Sequence, residues 1–497
     1  MIRRVFKFAS FLLPAFLFAC LFLNGNVWAQ AQSLVMEAEQ HWETYGTGGT
    51  CIPGTHDLAV SDVDCDGSME MITGGYAYTI ENGTVKMLGA PFKIWSWSGP
   101  GHNLTLKKSE SWPGGISCVY AGDADGDGAT EILTSGYAQL STRANYSSYS
   151  ALSFWNWDGN NLVLRGSYEG HSVSSIFIGD VDDDTKPEVV TVGQTLVQNK
   201  SVAQLSIWNW EDNNLTLRKR AEWIGNDGAQ VISVYAGDLN NDGSIEIVTT
   251  GFVNQPTNSS GQFRVWVFDG AEISLKAAAE WRTAEGYAVD VTGNNIMGNT
   301  MAYKIKVSDV DGDGYPEIIT GGFTYDGENA SAQLRIWNWT GQDLNAETNY
   351  VWQNLGITEL KSISIDDVDE DGKEEIVTSG LTAGKGSWAA DASDKTRAEL
   401  KVWNWDGNSL TIEQNETWII GEGVAAWNLG TGDLNNDGDT EIVSVGCMYT
   451  NNLCDPDLRI WNLQTAPGSF PFTIIFASGL VAAALIVGAL FLARRKR

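Results

Sequence analysis

Residues 309–320 read DVDGDGYPEIIT: three aspartates at alternate positions, a glycine, a glutamate at the ninth position and a short apolar run. Copies of this pattern recur along the 497-residue chain at spacings of 57 to 71 residues. We number these acidic loops 1 to 7 in chain order; they begin at Asp62, Asp123, Asp180, Asp238, Asp309, Asp367 and Asp433. Self-similarity of this kind predicts a repeat architecture in which each copy is one supersecondary unit.

A tryptophan motif recurs once in each repeat, together with the acidic loop. In the third repeat it reads Ile207-Trp-Asn-Trp, and a polar turn and an alternating apolar segment follow it. Each period therefore holds four short apolar or alternating runs separated by turn residues, which predicts four strands, A to D. The acidic loop joins A to B, and a turn such as Asp158-Gly-Asn-Asn joins C to D. A bulky aromatic residue at a fixed strand position in every repeat favours packing between repeats over sugar binding.

The two ends of the repeat region favour a closed ring. The last repeat stops after its C strand at Leu463, whereas the segment from Ser33 to Trp42 matches the D strand from Asn214 to Trp223. An N-terminal strand that completes the final repeat predicts an all-β fold, a seven-bladed β-propeller over residues 33–463. Closure also removes exposed sheet edges. An open β-solenoid is the alternative, but it would not need the displaced strand.

These loops, strands and repeat number resemble the FG-GAP/VCBS repeats of integrin α-subunit heads and of many microbial surface proteins. The resemblance covers about residues 33–463 and rests on the loop, the strand pattern and the count, since the literal Phe-Gly and Gly-Ala-Pro words are absent. It implies a β-propeller with calcium loops and a role in binding or adhesion at the cell surface.

Oxygen ligands at alternate loop positions suit a hard cation, and Ca²⁺ takes six to eight of them. We expect side chains at positions 1, 3, 5 and 9 and the main-chain carbonyl at position 7 to bind up to seven Ca²⁺ ions. An EF-hand differs, because its closing glutamate stands at position 12 and helices flank it. The predicted ligands are Asp62, Asp64, Asp66, Ser68 and Glu70; Asp123, Asp125, Asp127, Ala129 and Glu131; Asp180, Asp182, Asp184, Lys186 and Glu188; Asp238, Asn240, Asp242, Ser244 and Glu246; Asp309, Asp311, Asp313, Tyr315 and Glu317; Asp367, Asp369, Asp371, Lys373 and Glu375; Asp433, Asn435, Asp437, Asp439 and Glu441.

The alternative is that these loops are acidic turns that bind nothing, since Asp and Gly favour turns. Crowded carboxylates repel one another, so seven unneutralised copies would destabilise the fold. The loops are also unequal. Loop 3 has Thr185 in place of the glycine at position 6, which predicts a strained turn, and loops 4 and 7 carry less charge because position 3 is Asn240 or Asn435.

The two termini predict export and anchoring. Residues 1–29 have the basic, apolar and small-residue regions of a signal peptide, with an uncleaved anchor helix as the alternative. Residues 464–471 form a linker, and 472–493 are uncharged and long enough to cross a bilayer; a buried core helix is the alternative. The basic tail, 494–497, is expected in the cytoplasm. The sequence thus predicts a single-pass cell-membrane protein whose N-terminal ectodomain lies outside.

The charge of the chain limits its partners. The net charge is −31, and the predicted signal and tail hold seven basic and no acidic residues, so the exported part carries −38. Such a surface attracts cations and opposes nucleic-acid binding. Five cysteines remain after the predicted cleavage, and Cys447 and Cys454 are the predicted disulfide. Nine glycosylation sequons fit an exported chain: Asn82, Asn103, Asn145, Asn199, Asn214, Asn258, Asn329, Asn338 and Asn415.

The B–C and D–A connections face away from the acidic loops and vary in length, as binding loops on a rigid scaffold often do. Among them we predict a recognition face for an extracellular protein or glycan, with five aromatic candidates: Tyr76, Tyr78, Tyr146, Tyr149 and Trp388. Packing among neighbouring loops is the alternative role for these side chains. No catalytic constellation is recognisable around the four histidines, which argues against a polysaccharide-acting enzyme. The predicted anchor, the predicted propeller and the resemblance favour an adhesion module, with a passive structural protein as the other alternative.

Overall fold

The computed structural model describes residues 32–42, 51–81, 84–112, 114–139, 148–169, 172–211, 214–255, 258–282, 288–289, 295–296, 300–326, 329–384, 395–450 and 453–465. One compact unit spans Leu34–Asn462; the other comprises Met1–Ser33 and Leu463–Arg497, of which only 32–33 and 463–465 are described. The predicted signal peptide, membrane helix and tail lie outside the described residues. Among those that are described, no helix is long and apolar enough to span a bilayer.

Within the described ranges, the strands form seven four-stranded antiparallel groups, which we call sheets, that follow one another along the chain, as in a β-propeller. Single bridges, Tyr76–Gly115 and Ala330–Ile357, join the first group to the second and the fifth to the sixth. The first three are β2 Cys51–Ser61, β3 Glu70–Glu81, β4 Thr84–Ser96 and β5 Thr105–Trp112; β6 Gly115–Gly122, β7 Glu131–Gln139, β8 Ser148–Trp157 and β9 Leu162–Glu169; β10 Ser172–Gly179, β11 Glu188–Val197, β12 Lys200–Glu211 and β13 Asn214–Trp223. The next three are β14 Gly228–Gly237, β15 Glu246–Asn254, β16 Ser259–Phe268 and β17 Ile273–Trp281; β20 Thr300–Ser308, β21 Glu317–Tyr325, β22 Ala330–Trp339 and β23 Leu344–Trp352; β24 Ile357–Asp366, β25 Glu375–Ala383, β26 Arg397–Trp405 and β27 Leu410–Trp418. A short hairpin, β18 Ala288–Val289 and β19 Asn295–Ile296, precedes β20.

The seventh sheet joins the two ends of the chain. Its order is β28 Gly423–Gly432, β29 Glu441–Thr450, β30 Leu453–Thr465 and then β1 Gln32–His41. The His41 Nε2 atom lies 2.8 Å from the Asp457 carboxylate, and Arg459 forms an ion pair with Glu39 at 3.2 Å. The N-terminal strand is therefore the outermost strand of the last sheet.

Strand composition follows position in the sheet. The second strand of a sheet lies between two neighbours and reads as a nearly continuous β-branched run, so β15 and β25 are buried along their whole lengths. The outermost strand alternates between exposed and half-buried residues, as in β27. Buried runs and alternating runs are the expected patterns for these two positions.

The recurring C-strand tryptophan has the same hydrogen bond in every sheet. Its indole N–H donates to a threonine hydroxyl of the B strand, or to a serine in the last sheet, at 2.9–3.3 Å. The seven pairs are Trp95–Thr73, Trp155–Thr134, Trp208–Thr191, Trp266–Thr249, Trp337–Thr320, Trp403–Thr378 and Trp461–Ser444. The bond fixes the ring over its own sheet and satisfies a polar atom that would otherwise be buried alone.

The same tryptophans pack between neighbouring sheets, which confirms their predicted structural role. An aromatic ring from the outer strand of one sheet lies 4.6–5.3 Å from the C-strand tryptophan of the next. These ring pairs are Trp112–Trp155, Tyr168–Trp208, Trp223–Trp266, Trp281–Trp337, Trp352–Trp403, Trp418–Trp461 and Trp42–Trp95. The last pair brings the residue after β1 against the first complete sheet.

The inner strands also bring the first and last sheets together. Asp57 of β2 is buried; it accepts a hydrogen bond from the Val119 N–H of β6 at 2.7 Å and another from the Asn428 side-chain amide of β28. Asp57 and Asn428 are 371 residues apart in sequence. A disulfide joins Cys447 of β29 to Cys454 of β30, as predicted, with the Cα atoms 5.3 Å apart.

Candidate metal-binding loops

Each acidic loop is an A–B connection whose carboxylates accept main-chain hydrogen bonds. In loop 1, the Asp62 carboxylate accepts the N–H of Asp66 at 3.1 Å and that of Gly67 at 2.9 Å. The Asp66 carboxylate accepts the N–H of Ser68 at 2.8 Å. Short acidic side chains that bond forward to their own backbone stabilise such turns. They hold the position 1 and position 5 carboxylates on one side of the loop.

The glutamate at position 9 is held by a hydrogen bond to the main chain of its own loop. It is the first residue of the B strand, its side chain is buried, and it accepts the main-chain N–H of position 2 at 2.8–3.3 Å in every loop. The seven pairs are Glu70–Val63, Glu131–Ala124, Glu188–Val181, Glu246–Leu239, Glu317–Val310, Glu375–Val368 and Glu441–Leu434. One carboxylate oxygen is thereby committed to the loop backbone, and the other remains for a second partner.

Position 6 has a left-handed backbone in every loop, which explains the glycine there. Gly67 has φ 92° and Gly243 has φ 88°, and Thr185 adopts φ 72° at the same position of loop 3. A β-branched residue in this region is strained, so the structure agrees with the strain predicted for loop 3. Position 4 is left-handed as well, for example at Cys65 with φ 58°; the motif does not reveal this requirement because residues other than glycine stand there in most loops.

The predicted carboxylates converge. Ligand atoms of Asp62, Asp64 and Asp66, at positions 1, 3 and 5, lie within 4.8 Å of one another. Three further loops have a similar set of three, formed by positions 1, 3 and 5 or by positions 1, 3 and 9. Those sets are Asp123, Asp125 and Asp127; Asp309, Asp311 and Glu317; Asp367, Asp369 and Asp371. Asp180, Asp182 and Glu188 of loop 3 also converge. Oxygens at such separations can share one Ca²⁺, whose ligands lie 2.3–2.6 Å from the ion.

The chemistry of the donor atoms fits a cation. In the part of the chain that the structure describes, every buried carboxylate oxygen without a hydrogen-bond partner belongs to an acidic loop. These atoms are Asp64 Oδ1, Glu70 Oε1, Asp182 Oδ1, Asp309 Oδ1 and Asp367 Oδ1. Buried polar atoms are normally paired. Four of these oxygens therefore favour a cation as their partner, whereas Asp182 Oδ1 belongs to a carboxylate whose other oxygen lies 2.8 Å from Arg218 Nη1. The predicted carbonyl ligands at position 7 stay a prediction.

Burial without a counter-ion disfavours the charged form of the position 9 glutamates. Burial raises the pKa of Glu317 and of Glu375 to about 8, and the nearby carboxylates of Asp311 and Asp369 contribute in the same direction. Burial raises the pKa to about 7 in four further loops, at Glu70, Glu131, Glu188 and Glu441. A bound divalent cation would reverse this effect, because it stabilises the carboxylate form.

Amide side chains supply the second partner of the glutamate in three loops. Asn240 and Asn435, at position 3 of loops 4 and 7, donate to Glu246 and Glu441 at 3.0 Å. In loop 2, Asn156 of β8 donates to Glu131 at the same distance. Asn at position 3 therefore lowers the loop charge, as predicted, and also satisfies the buried glutamate.

The acidic loops lie at the seams between sheets. The C–D turn of the following sheet lies against the position 3 side chain, and the residue of the turn at this close approach is a glycine. A Cβ atom at Gly407 would lie 2.6 Å from Asp311 Oδ2, and one at Gly159 would lie 2.9 Å from Asp64 Oδ2. Both glycines have positive φ angles, 78° and 82°. The A–B and C–D connections thus share one face, in agreement with the predicted strand connectivity.

The predicted recognition aromatics are placed differently. Tyr76 and Tyr78 lie within β3 and Tyr149 within β8, so these three are strand residues and not loop residues as predicted. The reason is that the run of aromatic, apolar and threonine residues after Gly75 continues the β3–β4 hairpin as far as Glu81. Tyr76 forms a bridge with Gly115 of the second sheet. Tyr146 and Trp388 lie outside the described residues.

Comparison with known proteins agrees with the loop geometry. A model of the FG-GAP-like repeat matches residues 180–249, which span loops 3 and 4. The T-cell immunomodulatory protein homolog of Plasmodium falciparum (isolate 3D7) is 22% identical over 302 residues, which are 57% of this chain and 39% of that protein. The matched region therefore spans less than half of the relative's length.

Proposed function

Because the chain carries an FG-GAP-like repeat over residues 180–249, we propose that it is a calcium-stabilised binding module displayed at the cell surface. The observation that carries the calcium part is the restriction of orphaned buried carboxylate oxygens to the acidic loops. Side chains at positions 1, 3, 5 and 9 would hold the ion, and the main-chain carbonyl at position 7 would complete the set. The ion would neutralise crowded carboxylates and tie each loop to its own B strand.

We propose further that the sheets close into a seven-bladed propeller. Three contacts support closure: β1 completes the last sheet, Trp42 packs against Trp95, and Asn428 donates to Asp57. The pairing of β1 and the Asn428–Asp57 bond link the beginning of the repeat region to its end, and Trp42, which follows β1 of the last sheet, contacts the first sheet. A ring of this kind leaves one face with the acidic loops and the other with the B–C and D–A connections, where we place the ligand site.

The binding function rests on the repeat and on the distant relative, whose name describes an immunomodulatory protein. We propose an extracellular protein or glycan as the ligand, and we retain the face with Tyr76, Tyr78, Tyr146, Tyr149 and Trp388 as its binding site. A hydrophobic helix over residues 472–493 would anchor the ectodomain, and the basic tail would fix its orientation.

The binding proposal is tested with the full chain in detergent, applied to a glycan array and to intact cells, in calcium and in chelator. A parallel turnover screen uses the retained polysaccharides. Saturable binding without turnover supports a binding module. Turnover of a bound glycan would replace it with an enzyme, and the absence of both would leave a passive structural protein as the better description.

A further inference from the structure

In one acidic loop, a positively charged side chain from another strand contacts two of the predicted ligands. In loop 3, the Arg218 Nη1 atom lies 2.8 Å from Asp182 Oδ2 and 3.4 Å from Glu188 Oε1, so the guanidinium contacts positions 3 and 9. Both acidic side chains are buried, with exposed fractions of 3% and 0%. These two carboxylates belong to the set that would hold the cation. The guanidinium therefore takes the place of an ion ligated by positions 3 and 9.

Arg218 is held there by the next sheet. Its Nη2 atom donates to the Gly270 carbonyl at 2.9 Å, and its guanidinium lies 5.2 Å from the Phe268 ring centre. A planar donor with partners on two sides loses little freedom when it pairs with carboxylates. A divalent ion in loop 3 would have to displace Arg218 and leave the Gly270 carbonyl without its donor.

The position of Arg218 repeats in the other sheets. It is the bulged residue of the outermost strand, because Ile207 pairs with Lys219 and Trp208 with Leu217. The same register shift occurs between the C and D strands of five other sheets and leaves one residue unpaired in each. These bulge residues are Lys107, Arg165, Lys276, Glu347 and Glu413 in the first, second, fourth, fifth and sixth sheets.

The sign of the bulge residue changes along the chain. It is basic in the first four sheets and acidic in the fifth and sixth. Glu347 interacts electrostatically with Asp311 and Asp313 of loop 5, and Glu413 with Asp369 and Asp371 of loop 6. In the first sheet Lys107 has the opposite sign and interacts with Asp64 and Glu70. In the first, second, third, fifth and sixth sheets, the bulge residue thus interacts with the acidic loop of its own sheet.

We propose that this bulge residue sets the cation occupancy of each loop. Arg218 is the built-in counter-ion of loop 3, which binds no calcium. Glu347 and Glu413 each add one acidic side chain beside the predicted ligands of loops 5 and 6, which bind most tightly, and Lys107 and Arg165 weaken loops 1 and 2. The inference rests on the proposed calcium binding and refines it by ranking the loops according to the charge of the bulge residue.

The first test counts bound ions. The full chain in detergent is equilibrated with ⁴⁵Ca²⁺, and the bound ions per chain are measured for wild type, Arg218→Gln and Arg220→Ala. Arg220 is the control, since it lies two residues away on the same strand and bonds Ser206 instead of a loop carboxylate. We expect one additional ion in Arg218→Gln and the wild-type number in Arg220→Ala.

The second test does not depend on the folding of an Arg218 variant. Glu347→Gln and Glu413→Gln change exposed side chains. Each should lower the calcium affinity of the tightest class of sites about three- to tenfold, which is the effect of one nearby charge on a divalent ion. Lys107→Gln is expected to tighten a weaker site by a similar factor.

The outcomes separate the two proposals. A wild-type chain that binds no calcium overturns the calcium proposal and the inference with it. A wild-type chain that binds calcium, with unchanged counts in Arg218→Gln and unchanged affinities in the glutamate variants, overturns the inference alone. An extra ion in Arg218→Gln with weakened sites in the glutamate variants supports both.

Discussion

The strained turn of loop 3 gives a prediction that needs no ligand. Thr185 holds the left-handed position that glycine holds in the other six loops, with φ 72°. Its side chain is exposed, and its N–H donates to Asp180 Oδ2 at 2.7 Å. Thr185→Gly keeps this hydrogen bond and removes the strained Cβ. The reverse change, Gly243→Thr in loop 4, introduces the strain at φ 88°.

The magnitude follows from two opposing terms. A left-handed residue other than glycine costs about 1–2 kcal/mol, whereas the greater freedom of glycine in the unfolded chain costs about 0.5–1 kcal/mol. The net gain expected for Thr185→Gly is therefore about 0.5–1 kcal/mol. A Cβ at Gly243 meets no atom within 4 Å, so Gly243→Thr should lose a similar amount for the same backbone reason.

Urea unfolding of the full chain, followed by tryptophan fluorescence in calcium and in chelator, measures both variants. The unfolding midpoint should rise for Thr185→Gly and fall for Gly243→Thr. The opposite order, or a stabilising Gly243→Thr, would show that the left-handed backbone at position 6 is not what selects glycine.

Two further predictions concern side chains of the outermost strands, Trp281 of β17 and His41 of β1. Trp281→Phe removes the indole N–H that donates to the Gln333 side-chain oxygen at 2.7 Å. Because Gln333 is buried and loses its donor, the free energy of unfolding measured by urea titration should fall by about 1–3 kcal/mol. The hydrogen bond to Asp457 raises the pKa of His41 above its ordinary value of 6.5. The free energy that this pair contributes to folding is therefore at its maximum below pH 6.5 and is lost as the pH rises through the pKa of His41 in the folded state. The difference in unfolding midpoint between wild type and His41→Gln should shrink accordingly from pH 6 to pH 8, and a difference that grows would contradict the pairing.

Sequence reasoning reached the architecture because the fold repeats. The alternate carboxylates, the glycine and the closing glutamate predicted the loop positions that converge in the structure, and the Ser33–Trp42 segment predicted a D strand that pairs in the last sheet. One available signal was overlooked. In four of the seven sheets the C-strand tryptophan follows its B-strand hydroxyl partner by 17 residues, as in Trp266 and Thr249, and this recurring spacing indicates their hydrogen bond.

Other features depend on register, which a repeat pattern does not specify. Arg218 reaches loop 3 only because the D strand contains a bulge opposite Ile207 and Trp208. Tyr76 was assigned to a loop although Asn82-Gly83 is a strong hairpin-turn signal, and the β3–β4 hairpin extends as far as Glu81 and Thr84. Both differences arise from pairing between strands, where one residue of shift changes the neighbours of a side chain.

The stability of the full chain in calcium and in chelator tests the central claim most directly. A ligand present at 100 times its dissociation constant stabilises the folded state by about 2.7 kcal/mol for each site. Several occupied loops should therefore raise the melting temperature strongly in calcium, relative to chelator at matched ionic strength, and the effect should grow with calcium concentration. Coincident melting curves in calcium and chelator would contradict the account, because they would show that the loop carboxylates do not stabilise the folded state through calcium binding.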